Sequence, residues 1–89
     1  MTDKSLYLEI ITPQEVIFKG DVQSVTVPGT KSPFQILYNH APIVSSLSEG
    51  QLKIAENSNK ELIYKTGTGF VELKNNRISI LVEDAIIVE

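Results

Sequence analysis

The chain has 89 residues, 42% of them hydrophobic, with Lys+Arg 8 against Asp+Glu 11 and a net charge of −3. A chain of this size buries only about 60% of its unfolded surface, which allows one small core and excludes a deep cleft between two domains. The absence of cysteine removes disulfides, thiolate nucleophiles and Cys-based metal sites, and scattered cations in an acidic chain argue against a nucleic-acid groove.

No run approaches the roughly 18 apolar residues of a membrane helix, and Met1 to Ser5 lack the basic start and apolar stretch of a signal peptide. A single soluble, cytoplasmic domain over 1–89 is expected, with no direct lipid insertion. Leu6, Leu8 and Ile10 alternate with Tyr7, Glu9 and Ile11, the period of two that marks a strand. After Pro13 and Gly20, Val22 to Val27 reads as a further strand, and Pro28-Gly29 closes it. From there to Pro42 a polar loop, a very short apolar strand and a second proline-closed loop follow in quick succession; loops held this stiffly present a surface. Ser48-Glu49-Gly50 and Asn57-Ser58-Asn59 read as hairpin turns around the strand Gln51 to Ala55. Leu62 to Thr66 forms another strand, and Gly67-Thr68-Gly69 a bend where a backbone must pass closely. Phe70 to Lys74 and the alternating Ile78, Ile80 and Val82 are joined by Asn75-Asn76, a pair suited to the positive φ of a type I′ hairpin turn. About ten short strands result, and they predict an all-β, ten-stranded antiparallel β-sandwich or flattened barrel.

Chemistry is scarce. His40 is the single histidine, too little for a metal site, and Glu49 and Asp21 lie in separate segments, so a structural or interface role ranks ahead of general-base catalysis. Gly67-Thr68-Gly69 leads into a strand, whereas phosphate cradling needs a helix N-terminus, and no Walker loop is present. No catalytic residue, cofactor, metal or small-molecule substrate is predicted. Phe18, Tyr64 and Phe70 read as core, which leaves Tyr7, Phe34 and Tyr38 as candidates for an exposed aromatic platform.

Val25-Thr26-Val27-Pro28-Gly29, Ile36-Leu37, Asn39-His40-Ala41-Pro42-Ile43, Gly50-Gln51-Leu52-Lys53-Ile54, Gly69-Phe70-Val71-Glu72 and Ile80-Leu81-Val82-Glu83-Asp84-Ala85 follow one another in the order and spacing of a known family. With them the chain resembles the epsilon subunit of the F-type rotary ATP synthase along nearly its whole length. The resemblance implies a ten-stranded sandwich at the foot of the central stalk, on the cytoplasmic face of the bacterial inner membrane. It implies contacts with the gamma subunit and the c-ring, rotation with them, and catalysis elsewhere, in the alpha and beta subunits. By position it puts Thr30, Lys31, Ser32, Pro33 and Phe34 in a c-ring-facing loop and Thr12, His40, Ala41, Pro42, Ile43 and Ser45 on or near the gamma-facing side.

Three features depart from the family pattern. The ring-facing loop carries Lys31 and Pro33 where an acidic residue is common. Gln35, Tyr38 and Asn39 replace the small or cyclic residues that usually precede the histidine. Typical members continue past Asp84-Ala85 into a two-helix hairpin associated with inhibition of ATP hydrolysis, so the resemblance implies neither inhibition nor ATP binding here. The competing class is a free-standing sandwich enzyme or ligand-binding module built on His40.

Overall fold

Alternation along each segment decides which side chains are buried, and the computed structural model, which describes residues 5–88, shows where those faces meet. The strands are β1 (Leu6–Ile11), β2 (Val16–Val22), β3 (Ser24–Val27), β4 (Phe34–Leu37), β5 (Ile43–Leu47), β6 (Gly50–Asn57), β7 (Lys60–Thr66), β8 (Gly69–Lys74), β9 (Arg77–Val82) and β10 (Ala85–Val88). They form two five-stranded sheets, the first in the order β2-β1-β9-β8-β5 and the second in the order β10-β7-β6-β3-β4. Leu6, Leu8, Ile10, Val71, Leu73, Ile78 and Ile80 from the first sheet and Val25, Val27, Ile36, Leu52, Ile54 and Tyr64 from the second are buried in one apolar cluster. The all-β sandwich expected from the turn spacing is therefore present.

One pair departs from the antiparallel expectation: β1 runs parallel to β9, with Leu8 opposite Ile78 and Ile10 opposite Ile80. Parallel neighbours need a long connection, and here everything from β2 to β8 lies between them.

Three local readings also change. Val22 to Val27 is not one strand. Val22 ends β2 in the first sheet, Gln23 donates its N–H to Ala55 O at 2.7 Å, and Ser24 opens β3 in the second. Val22 and Val25 are both buried although three residues apart, so the inward parity flips at the crossing. Ser48-Glu49-Gly50 is not a hairpin turn either, because β5 pairs with β8 whereas β6 pairs with β7 and β3; it carries the chain between sheets, with Ser48 N–H bonded to Pro28 O at 2.8 Å. Phe70 is 61% exposed rather than core. Val71 and Leu73 point inward, and strand alternation turns Phe70 outward whatever its hydrophobicity.

Other turns behave as read. Asn75 and Asn76 have φ of 51° and 61° between the opposed Lys74 and Arg77. Asn57 lies opposite Lys60 across the second hairpin. At the Gly67–Gly69 bend a Cβ on Gly69 would collide with the Leu81 carbonyl oxygen, which is the close passage the glycines signalled.

Candidate interaction surfaces

The connections gather at two ends. Antiparallel registers place Thr12 to Glu15, Pro28 to Pro33, Ser48-Glu49, Gly67-Thr68 and Glu83-Asp84 at one, the Gly69 end, and Tyr38 to Pro42, Ser58-Asn59 and Asn75-Asn76 at the other, the Asn76 end.

The loop from Thr30 to Phe34 belongs to the Gly69 end and is anchored at both margins. Gly29 bridges to Leu47, Thr30 N–H donates to Ser46 O at 3.3 Å, and the Thr30 and Ser46 hydroxyl oxygens are 3.0 Å apart. Thr30, Lys31, Ser32 and Pro33 are exposed, while Phe34 is half-buried and packs on the core. A Cβ on Gly29 would stand 2.7 Å from Ser32 O and 2.8 Å from the Phe34 ring, so Gly29 permits both the tight loop and the ring that covers it.

His40 belongs to the Asn76 end. Asn39 adopts φ of 66° and donates its N–H to Asn76 Oδ1 at 2.6 Å, while His40 N–H reaches Leu37 O at 3.2 Å. The ring Nδ1 donates to Ala41 O at 2.8 Å. A carbonyl can only accept, so Nδ1 carries a hydrogen in this contact. His40, Ala41 and Pro42 are all exposed.

The six side chains assigned to a gamma-facing side do not form one patch. Thr12 is buried at the Gly69 end, where its hydroxyl accepts from Glu15 N and donates to Glu15 O, both at 3.2 Å. His40 to Pro42 lie at the opposite end, about 17 Å away along a five-residue stretch of strand. Ile43 and Ser45 share the inward parity of Leu47 on the edge strand β5 and are half-buried.

What the first sheet presents outward was missed. Val44 is 78% and Leu81 49% exposed. With Phe70, Ile11 and Pro13, Leu81 borders an open, mostly apolar groove of about 660 Å³ that Thr30 and Ser46 close on one side. The signal was in the sequence: Phe70 and Leu81 are out of phase with Val71, Ile80 and Val82, which are inward. Among the aromatic candidates, Tyr7 lies beneath Arg77, 4.8 Å from guanidinium carbon to ring centre, Phe34 is committed to the core and Tyr38 is exposed. Among the described residues no three His, Asp or Glu side chains stand close enough to hold a metal.

The family model of the ATP synthase delta/epsilon chain β-sandwich domain matches residues 5–88. The chain belongs to that family. It is 39% identical over 89 residues to an ATP synthase epsilon chain of Leptospira interrogans, covering 100% of this chain and 69% of that protein. It is 34% identical over 83 residues to the epsilon chain of Chlorobaculum tepidum, covering 93% and 94%. In the cryo-EM structure of the Euglena gracilis mitochondrial ATP synthase (OSCP/F1/c-ring, rotational state 1) one chain superposes with a TM-score of 0.90 at 20% identity, over 98% of this chain and 56% of that one. A chain in the Tetrahymena thermophila central stalk/c-ring structure gives 0.79 at 20% identity, over 97% and 69%. At such identity these two show a shared fold.

Proposed function

We propose that residues 1–89 form a single epsilon-type β-sandwich domain serving as a central-stalk rotor subunit of a rotary F-type ATP synthase. It links the gamma subunit to the c-ring and couples proton or sodium translocation to ATP synthesis, as a peripheral part of the complex on the cytoplasmic face of a bacterial inner membrane. It is non-catalytic and takes no cofactor. The observation that carries this reading is the match to the Chlorobaculum tepidum epsilon chain over 94% of that protein, in which the sandwich accounts for nearly the whole relative.

The Gly69 end, with the Thr30 to Phe34 loop, faces the ring. Lys31 replaces the acidic residue common there, yet Glu15, Glu49, Glu83 and Asp84 stand in the neighbouring turns of the same end, which supports an acidic end toward a basic ring loop. The gamma subunit takes the side containing β5 and its leading loop, with His40, Ala41, Pro42, Ile43 and Ser45, and reaches Thr12 at the far corner. Close-packed sheets suit a torque-bearing contact because their interiors compress little.

Affinity capture of the tagged chain from detergent-solubilised native membranes tests this. Gamma and the c-ring should co-purify, and depletion of the chain should uncouple ATP synthesis from ion flow. A chain recovered free of both subunits, with synthesis unaffected by its loss, overturns the proposal.

A further inference from the structure

Ser46, Phe70, Leu81, Ile11 and Val16 stand on the five successive strands of the first sheet, each opposite the next: Ser46 with Phe70, Phe70 with Leu81, Leu81 with Ile11, Ile11 with Val16. Phe70, Leu81, Ile11 and Val16 make this an apolar row one residue wide, crossing the sheet perpendicular to its strands. Three strand spacings from Phe70 to Val16 give its apolar part a length of about 14 Å. Val16 and Leu81 are about half exposed and Phe70 more so.

Carboxylates border the row on both sides. The next row toward the Asn76 end holds Glu72, Ser79 and Glu9, and the turns on the other side hold Glu15 and Glu83. Cations stand beyond these carboxylates, with Lys74 and Arg77 in the next row past Glu72 and Ser79. Lys19, opposite Glu9, stands 3.9 Å from its carboxylate, and Lys31 lies on the loop beside Ser46.

We infer that this row seats an amphipathic helix of the gamma subunit whose apolar stripe is flanked by Lys or Arg on both sides. The inference rests on the rotor-subunit reading above. A helix satisfies its own backbone hydrogen bonds, whereas a strand laid across the row would press unpaired N–H and C=O groups onto apolar side chains. A track of about 14 Å matches roughly 10 helical residues at 1.5 Å each, and apolar positions three and four apart would meet Phe70, Leu81, Ile11 and Val16 in turn. The bordering glutamates then favour basic flanks on that helix and repel acidic ones.

The test is the affinity of the full chain for the gamma subunit of the same organism, measured across a salt series together with the thermal midpoint of each free variant. Phe70→Ser/Leu81→Ser should weaken gamma binding at least tenfold with the midpoint nearly unchanged, because both side chains are largely exposed. Glu72→Gln/Glu83→Gln should flatten the salt dependence, and Glu61→Gln on the second sheet should leave both affinity and salt slope as they were. Gamma bound equally well by wild type and by Phe70→Ser/Leu81→Ser would overturn the inference and leave the rotor reading standing, whereas a wild type that fails to bind gamma would remove that reading itself. Binding insensitive to salt, or a homodimer abolished by Phe70→Ser/Leu81→Ser, would also overturn it, the latter by giving the row to a second copy of the chain.

Discussion

Thr30 Oγ1 lies 3.0 Å from Ser46 Oγ, a hydroxyl pair that fastens the loop leaving the second sheet to the edge strand of the first. The backbone bond from Thr30 N–H to Ser46 O, at 3.3 Å, reinforces it. This corner joins the proposed ring-facing loop to the strand proposed to border the gamma-facing side, so both proposed contacts share one support.

Removing the pair should therefore loosen the loop more than the domain. Thr30→Val is expected to lower stability by about 0.5–1 kcal/mol, the net worth of one hydrogen bond, while amide exchange at residues 30 to 32 accelerates. Unchanged exchange there would mean that the hydroxyl contact does not hold the loop.

Gly69 and Gly20 should respond in opposite ways to the same substitution. A Cβ at Gly69 meets the Leu81 carbonyl oxygen and Val82 Cα, backbone atoms of a central strand, whereas at Gly20 the nearest atoms belong to the Phe18 ring at 3.9 Å. Gly69→Ala is expected to cost about 3 kcal/mol or more, at the upper end of overpacking penalties. Gly20→Ala should be neutral or slightly stabilising because the unfolded chain loses freedom. Urea denaturation of both variants measures the difference, and equal midpoints would mean that the β8–β9 backbone yields at Gly69.

Much of this was legible in residue order, for reasons that differ by element. Leu6, Leu8 and Ile10, and likewise Ile78, Ile80 and Val82, repeat with a period that only a strand can bury, and Asn75-Asn76 supplies a backbone conformation that few other residues accept. Partnership between strands was not legible. Ser48-Glu49-Gly50 has the composition of a hairpin turn whether or not its strands pair, and only long-range packing sends β5 to β8 and β6 to β7. The row through Phe70 and Leu81 escaped because Phe70 was assigned to the core by type, although its parity with Glu72 and against Val71 pointed outward. The parallel β1–β9 pair is a property of topology alone, since no turn connects its members.

Asn76 carries two separable roles. Its φ of 61° favours Asn or Gly, and its Oδ1 receives Asn39 N–H at 2.6 Å. Asn76→Gly keeps the conformation and loses the bond, so it should mainly mobilise Asn39 and His40. Asn76→Ala loses both and should destabilise the domain by about 1–2 kcal/mol more, the cost of a left-handed residue with a Cβ. Chemical denaturation read beside amide exchange at residues 39 and 40 separates the two. Identical behaviour of the variants would place the whole effect in the hydrogen bond.

Tyr64 gives the fold an alkaline limit. Burial, and secondarily the Glu56 carboxylate, raise its pKa above the ordinary value of 10.0. Below about pH 10 the phenol is neutral in folded and unfolded chains alike, and its contribution is fully present. Above that the unfolded chain ionises first, so stability falls as pH climbs through the raised folded-state pKa. Tyr64→Phe should flatten this alkaline decline of the thermal midpoint above about pH 10. A decline equally steep in both proteins would assign it to other groups.

The last expectation concerns β10, whose outer edge is unpaired among the described residues. Ile86, Ile87 and Val88 are 66%, 46% and 39% exposed, and Ala85–Val88 carries no charge or proline, so the strand lacks the usual protection against edge-to-edge pairing. Ile86 lies opposite Lys65 on β7. Ile86→Glu would place a carboxylate across from that ammonium, a cross-strand pair worth a few tenths of a kcal/mol, while blunting the edge. The variant should remain monomeric at concentrations where the free wild type begins to associate, with an unchanged or slightly higher thermal midpoint. Sedimentation velocity over a concentration series measures this, and association undiminished in Ile86→Glu would move the sticky surface away from β10.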